Sequence, residues 1–425
     1  MKLKAFFLLF YLITSVASAS PWVEADDPYF RSNIQLLADS GVLNAPVNSY
    51  PLLWALIADD LKKARPSQLP DYLKTAYYHV RFVLQRAENK RFQSAVKVVG
   101  ENSAAPAAFG QTDHEQWGLK ANIEYVADYF AFRANAAYSD FHGDSAKFSQ
   151  DGSYFAINLK SFSFNLGRLE RWWGPSWQST LSQGQNARPM PAIAINYADN
   201  NIPFINNLFV ESFVAIVDGN SAYSRKVATR LSSRPFRWIE LAVDYTYHWD
   251  LKDSWATRIG TQEEDRQQVG IDFRLSVPTT LFQFQSGFYG QWQKDSLDNL
   301  QDSFIAGMDI SGDIYEQQVR FVVEYKNSNS GNQQWIDWLS SVDQAGNESV
   351  LFGDVISVGA YIQFSNDHKM NVFIHHEKMN TDAIRFNMSY QLPVLYGMLV
   401  GKFNYTNALW EKEHYQGGVS WEYRF

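Results

Sequence analysis

Cysteine is missing from all 425 residues. That excludes a disulfide-stapled extracellular scaffold and any thiolate metal centre. Long apolar runs are missing as well. Past the N-terminal leader no stretch reaches the roughly 18 apolar residues that a membrane-crossing helix needs. A mean hydropathy of −0.32 likewise excludes a bundle of membrane helices. Positive charge is in deficit: 37 Lys and Arg stand against 45 Asp and Glu, a formal net charge of −8. Nucleic acid is therefore not expected as a partner, and bulk charge gives no reason to expect a polyanion. Catalytic motifs are also lacking: there is no Walker A loop, no G-x-S-x-G elbow and no H-E-x-x-H. His375-His376-Glu377 is the one close His/acid cluster, but neighbours on a strand point to opposite faces, so it suits no shared metal. Glu263-Glu264-Asp265 reads as a solvated loop run. The expectation is a protein with no enzyme activity, no cofactor and no metal.

What is present begins with a leader. Lys2 and Lys4 precede the apolar run Ala5 to Ile13, and Ala17-x-Ala19 supplies small residues for cleavage before Ser20. Residues 1–19 thus read as a secretory signal peptide. Three amphipathic helices are expected within 20–90. Phe30, Ile34 and Leu37 line one face of the first, which Gly41 ends. Pro51 is expected to open the second, with Leu53, Ile57 and Leu61 as its stripe. Pro70-Asp71 opens the third, with Leu73, Tyr77, Val80 and Leu84.

From about Arg91 the period drops to two. In "RWIELAVDYTYHWD", Ile239, Leu241, Val243, Tyr245, Tyr247 and Trp249 alternate with Glu240, Asp244, Thr246, His248 and Asp250. Strands of about ten residues with one apolar face are the pattern of a transmembrane barrel, whereas a soluble sandwich has shorter ones. The ending decides between them. Val419, Trp421, Tyr423 and Phe425 share a face, like the C-terminal insertion signal that outer-membrane proteins show to the barrel assembly machinery. The expected fold class is therefore an all-β transmembrane barrel over 91–425, of about 18 antiparallel strands, facing outer-membrane lipid. Long connections (100–116, 139–152, 170–191, 250–267, 291–302, 326–354) alternate with tight ones such as 127–128, 278–279 and 365–368. That asymmetry sends the long set outside a Gram-negative outer membrane and leaves the helical bundle on the periplasmic side.

Seven of the 14 tryptophans lie in the long connections: Trp172, Trp173, Trp177, Trp255, Trp292, Trp335 and Trp338. Amides and acids surround them, among them Gln183, Gln185, Asp253, Asn332, Gln333, Gln334 and Asp337. Aromatic faces against sugar C–H faces, with amides and carboxylates on hydroxyls, are how proteins hold saccharides. Trp177, Trp255, Trp292, Trp335, Trp338 and Asp337 are the candidate glycan contacts. The rival reading is that these aromatics pack the loops on one another.

Two stretches carry a resemblance. "PWVEADDPYFRSNIQLLADSGVLNAPVNSYPLLW" (21–54) and "ERWWGPSWQSTLSQGQNARPMPAI" (170–193) resemble the Wzi-type capsule assembly family. Its R-W-W-G-P matches Arg171, Trp172, Trp173, Gly174 and Pro175, and its N-A-R-P matches Asn186, Ala187, Arg188 and Pro189. Gln183-Gly184-Gln185 departs from the more apolar lead expected before N-A-R-P. The resemblance implies an 18-stranded outer-membrane barrel with a helical bundle, acting as a lectin that attaches capsular or extracellular polysaccharide to the cell surface. The alternative is a pore for sugars or for polysaccharide export. The segment 170–191 is expected to fold into the barrel mouth, because its apolar content is costly in water. There Trp172 and Trp173 would pack, Gly174-Pro175 would reverse the chain, and Arg171 and Arg188 would pair with carboxylates such as Glu170, Glu240 or Asp244. In that reading Arg171, Trp172, Trp173, Gly174, Pro175, Asn186, Arg188 and Pro189 form a structural motif in the mouth.

Overall fold

The computed structural model describes residues 21–88, 92–101, 108–113, 115–127, 129–141, 147–159, 161–185, 188–203, 205–217, 224–249, 266–277, 283–295, 302–328, 353–378, 382–408 and 414–425. Alternation in the sequence becomes an inside-out distribution. On the strand Ile239–Trp249, Leu241, Val243 and Tyr245 are exposed, whereas Glu240, Asp244, Thr246 and His248 are buried. A soluble protein would place these the other way. Apolar residues outside and polar ones inside fit a wall bathed in lipid.

The wall is a closed antiparallel barrel. Its strands are β1 (Phe92–Glu101), β2 (Glu115–Val126), β3 (Phe130–Phe141), β4 (Lys147–Ser149 continued by Tyr154–Leu159), β5 (Phe162–Gly167), β6 (Ala192–Ile202), β7 (Asn206–Ile216), β8 (Arg225–Phe236), β9 (Ile239–Trp249), β10 (Arg266–Val277), β11 (Phe284–Asp295), β12 (Ser303–Ile314), β13 (Gln317–Ser328), β14 (Gly353–Gln363), β15 (Lys369–Lys378), β16 (Asp382–Val394), β17 (Gly397–Ala408) and β18 (His414–Arg424). The two pieces of β4 both pair with β3, so they form one interrupted strand and the count is 18. Closure comes from β18 against β1, and the ladder runs to the last residue: the amides of Phe425 and Ser94 each donate to the other's carbonyl, at 2.8 and 2.9 Å. One rim carries tight turns. Tyr315-Glu316 and Leu395-Tyr396 take positive φ at both central positions, the hairpin geometry that matches strand twist.

Three helices precede the wall: α1 (Pro28–Asp39), α2 (Trp54–Lys63) and α3 (Asp71–Ala87). Asp27 caps α1 by accepting from the amides of Tyr29 (2.8 Å) and Phe30 (3.0 Å), and Pro28 sits where its missing N–H costs nothing. Gly41 ends the helix at φ +76°, its amide donating to the Ala38 carbonyl. The second helix corrects the sequence reading. Pro51 does not open it; the chain stays extended through Leu53, and α2 begins at Trp54.

The position of α1 also differs from a bundle hanging below the barrel. Its apolar stripe is buried as expected, but Arg31, Asn33, Gln35 and Asp39 are buried too. The physical reason is the polarity of the lumen wall, which gives the helix's polar face partners instead of water. Asp39 takes two bonds from Arg274 (3.1 and 2.7 Å) and one from Ser276 (2.7 Å), while the Arg320 side chain donates to Ser32. Helix α1 thus stands inside the barrel, against β11, β12 and β14, at the tight-turn end.

Candidate functional site

The segment 168–191 enters the lumen from the opposite end. It leaves the wall after Gly167 and rejoins it at Ala192, and these two residues pair with each other. Within it every residue from Arg171 to Gln183 is buried. Gly174 takes φ +140°, and a Cβ there would lie about 3.0 Å from the Gln291 amide, so glycine is required at this reversal.

Anchoring is by wall side chains. Glu211 on β7 accepts from Arg171 Nε at 2.9 Å and from Trp173 Nε1 at 3.1 Å. Glu324 on β13 accepts the backbone amides of Trp177 (2.5 Å) and Gln178 (3.0 Å). Gln291 on β11 receives the amide of Leu181 at 3.0 Å, and Asp244 on β9 receives the Ser182 hydroxyl at 2.8 Å. The lumen wall therefore satisfies an irregular backbone that lipid could not.

Helix α1 and this segment lock together in the middle. Arg31 donates to the carbonyls of Ser176 (2.8 Å), Pro175 (3.1 Å) and Gly174 (3.3 Å). Its guanidinium also stands 4.4 Å from the ring centroid of Phe109 and 4.3 Å from that of Trp177. Burial pushes Arg31 down to about 10, so it stays charged at neutral pH. Trp172 and Trp173 form a two-residue ladder with Tyr50 and Ser49, and Gly174 N donates to Asn48 O at 3.0 Å. Phe109, from the connection after β1, donates its amide to Trp177 O at 3.1 Å.

Towards the long-connection end a narrow niche remains. It is lined by Leu169, Glu170, Arg171, Gln183, Arg188, Met190, Phe213 and Lys226, among others. Arg188 binds Asp151 with two nitrogens, both at 2.7 Å. Asp151 reaches it because β4 breaks at 150–153, where Asn135 holds the break through Ser153 Oγ. Lys226 is buried and donates to Gln183 at 2.7 Å. Burial, reinforced by the Asp151 charge, pushes the Glu170 carboxyl up to about 8.

A family model for capsule assembly protein Wzi matches residues 87–422. The chain belongs to the Wzi family. Among solved structures, Wzi of Escherichia coli superposes with a TM-score of 0.77 at 16% identity, over 94% of this chain and 98% of that one. That protein is described as an outer membrane protein involved in group 1 capsule assembly and as a carbohydrate-binding β-barrel. The outer membrane protein opdK of Pseudomonas aeruginosa shares the barrel more loosely, with a TM-score of 0.51, 9% identity and coverage of 79% and 98%. In sequence, an uncharacterized 55.8 kDa protein from the cps region of Klebsiella pneumoniae is 22% identical over 289 residues, 63% of this chain. The match spans 56% of that relative, little more than half its length.

Several expected site residues of this Wzi-family chain sit elsewhere than the sequence suggested. Trp177 is not an open glycan platform: it is fully buried, its indole donates to Asp309 at 3.2 Å, and Arg31 and Arg320 flank the ring. Trp292 is not in a loop. It lies within β11 opposite Ile271, on the outer wall, and donates to Asp302 at 3.2 Å. Arg171 pairs with Glu211 and Arg188 with Asp151, not with Glu170, Glu240 or Asp244. Glu240 instead accepts the amides of Val47 and Asn48, and Asp244 lies 3.5 Å from Arg230. Trp172, Trp173, Gly174, Pro175 and Pro189 are buried in or beside the lumen plug. Asn186, Trp255, Trp335, Asp337 and Trp338 lie outside the described residues. No cluster of metal-ligating side chains occurs among the described residues, and His375 is held by Ser357 and Asn387.

Sequence reasoning missed Arg31, Phe109, Glu211, Asp309 and Glu324. For the three carboxylates a signal existed: each sits on the lumen-facing parity of its strand, where an isolated charge must find a partner.

Proposed function

We propose that this chain is a lectin of the Gram-negative outer membrane that attaches capsular or extracellular polysaccharide to the cell surface without catalysis. Its long connections face outward and its helices face the periplasm. The observation that carries this reading is the filled lumen of a Wzi-family barrel. Trp172, Trp173, Trp177 and Arg31 are almost wholly buried at the point where α1 meets the 168–191 segment. A barrel so obstructed suits retention at its mouth better than passage through it, which disfavours the pore alternative. Membership of the family and the carbohydrate-binding description of the E. coli protein support the same reading.

The test is a deletion strain. It should make polysaccharide of normal size and amount but release it into the medium, and the intact gene should restore attachment. Collapse of total synthesis, with nothing released, would assign the protein to export.

A further inference from the structure

Helix α3 lies across the tight-turn end of the barrel. Near its start the Tyr72 hydroxyl accepts from Gln285 on β11 at 2.8 Å, and soon after its end β1 begins. β11 and β1 stand eight strands apart in a ring of 18, so the helix runs from one side of the opening towards the other. Its inner face packs on α1, where His79 meets Asn33 at 2.7 Å and the Phe30 ring at 5.3 Å. The opposite stripe is open to solvent. It carries Tyr78 and Phe82, each 56% exposed and one helical turn apart, among the exposed Thr75, Gln85 and Arg86. Tyr77 meets the Tyr78 ring edge-on, with centroids 5.5 Å apart. A lone exposed aromatic needs no explanation, but this pair is flanked by cations. At 100° per residue, Arg81 falls on one side of the two rings and Arg86 on the other. Between Trp54 and Glu88 six Lys and Arg stand against four Asp and Glu, in a chain of net charge −8. Lys62 pairs with Glu88 at 3.2 Å and Lys74 with Asp71 at 2.7 Å. Lys63, Arg65 and Arg86 are exposed and enter no ion pair among the described residues.

We infer that this face docks on a carboxylate-bearing glycan, the peptide-crosslinked wall polymer of the periplasm, with its sugar rings on Tyr78 and Phe82 and its carboxylates on Arg86, Lys63 and Arg65. This rests on the orientation proposed above, with the helices on the periplasmic side. Three features select that occupant. Rings about 5–6 Å apart along a helix suit successive sugars, whose C–H faces stack on aromatics. A guanidinium beside them offers a two-pronged donor to a carboxylate. Two rings among polar side chains are too little apolar area for the core of a stable protein interface, which takes about 800 Å² a side. Bilayer lipid does not cover the stripe, because it crosses the barrel end and is not part of the outer wall. A barrel that retains polysaccharide outside is pulled by it, and a contact with the wall polymer on the other side resists that pull.

The experiment pellets the full-length protein, in detergent, with purified peptidoglycan, and heat-modifiable gel mobility confirms that every variant is assembled. Wild type should pellet with the polymer, and added salt should weaken the association. Tyr78→Ser combined with Phe82→Ser should weaken it about tenfold, the effect of two aromatic contacts. Arg86→Gln should weaken it about threefold, as for an exposed ion pair. Peptidoglycan with amidated carboxylates should bind wild type less well and lose its sensitivity to Arg86→Gln. Wild type that stays in the supernatant overturns the inference and leaves the face to a protein partner. A double variant that pellets like wild type, or amidated polymer that binds undiminished, overturns it as well. Because the chain has no cysteine, Gln85→Cys reports the orientation separately. A membrane-impermeant maleimide should label it only after the outer membrane is permeabilised. Labelling on intact cells would overturn the orientation and the inference together, whereas the expected labelling without binding would sink the inference alone.

Discussion

Replacing Arg31 with Ala should unlock the plug without opening the barrel wall. The guanidinium links α1 to three successive carbonyls of the other plug segment. Of these, Ser176 O keeps a second donor, Trp172 Nε1 at 3.1 Å, so the carbonyls of Gly174 and Pro175 are the ones orphaned. A hydrogen bond from a charged donor contributes about 1.5–3 kcal/mol, and the three are not additive because one group makes them. Two ring contacts add to this, and removing the cation returns its own burial cost. A net loss of about 4 kcal/mol is reasonable, which multiplies the population of a released segment on the order of a thousandfold. None of these contacts belongs to the strand ladder, so the assembled barrel should still run as a folded species on an unheated gel. Conductance in planar bilayers should rise above the wild-type level, and limited proteolysis should begin to cut within 168–191. Arg31→Lys should lie between, since an ammonium keeps the charge but cannot span three carbonyls. If Arg31→Ala matches wild type in both conductance and cleavage while remaining folded, the lock is not where these contacts place it.

Two further outcomes follow from the same packing. Trp177→Ala should cost about 3–5 kcal/mol of stability, the usual penalty for emptying a large aromatic site, and should show as a lower unfolding temperature; a variant that unfolds like wild type but no longer retains polysaccharide would mean the indole is a binding group after all. Asp27 is held down to about 2 because Lys369 outweighs the opposing effect of burial. Its folded value lies below the unfolded one, so its contribution is present above about pH 4 and is lost as pH falls through about 2. Asp27→Ala should therefore lower stability by about 1 kcal/mol at pH 7, through the lost helix cap, and by less at pH 2, in denaturant titrations run at both.

The wall was legible because each strand needs only its own alternation: Leu241, Val243 and Tyr245 declare the lipid face whatever their neighbours do. The 18 strands found agree with the count of about 18 expected from the alternation. Strand ends were less so, and Trp292 shows why, since β11 runs to Asp295. The interior was less legible because its partners are remote. Trp177 meets Glu324 across 147 positions, and Arg31 meets Ser176 across 145. Nor is the lumen face uniformly polar. On β7 the inward residues include Phe209 and Phe213 beside Glu211, all buried, because this part of the wall faces plug and not water. Arg188 was matched to the wrong carboxylate for a similar reason: nothing in the local pattern foretells that β4 breaks at 150–153 and turns Asp151 inward.

The direct pairing of Gly167 with Ala192 has a consequence for how such a molecule can change. Because the two strands are already neighbours at the point where the 168–191 segment departs, the hydrogen-bonded cylinder is complete without it. The segment behaves as a cartridge seated in a finished cylinder. A rearrangement of the segment leaves the membrane-embedded ladder in register. A change confined to the segment therefore need not put closure of the barrel at risk.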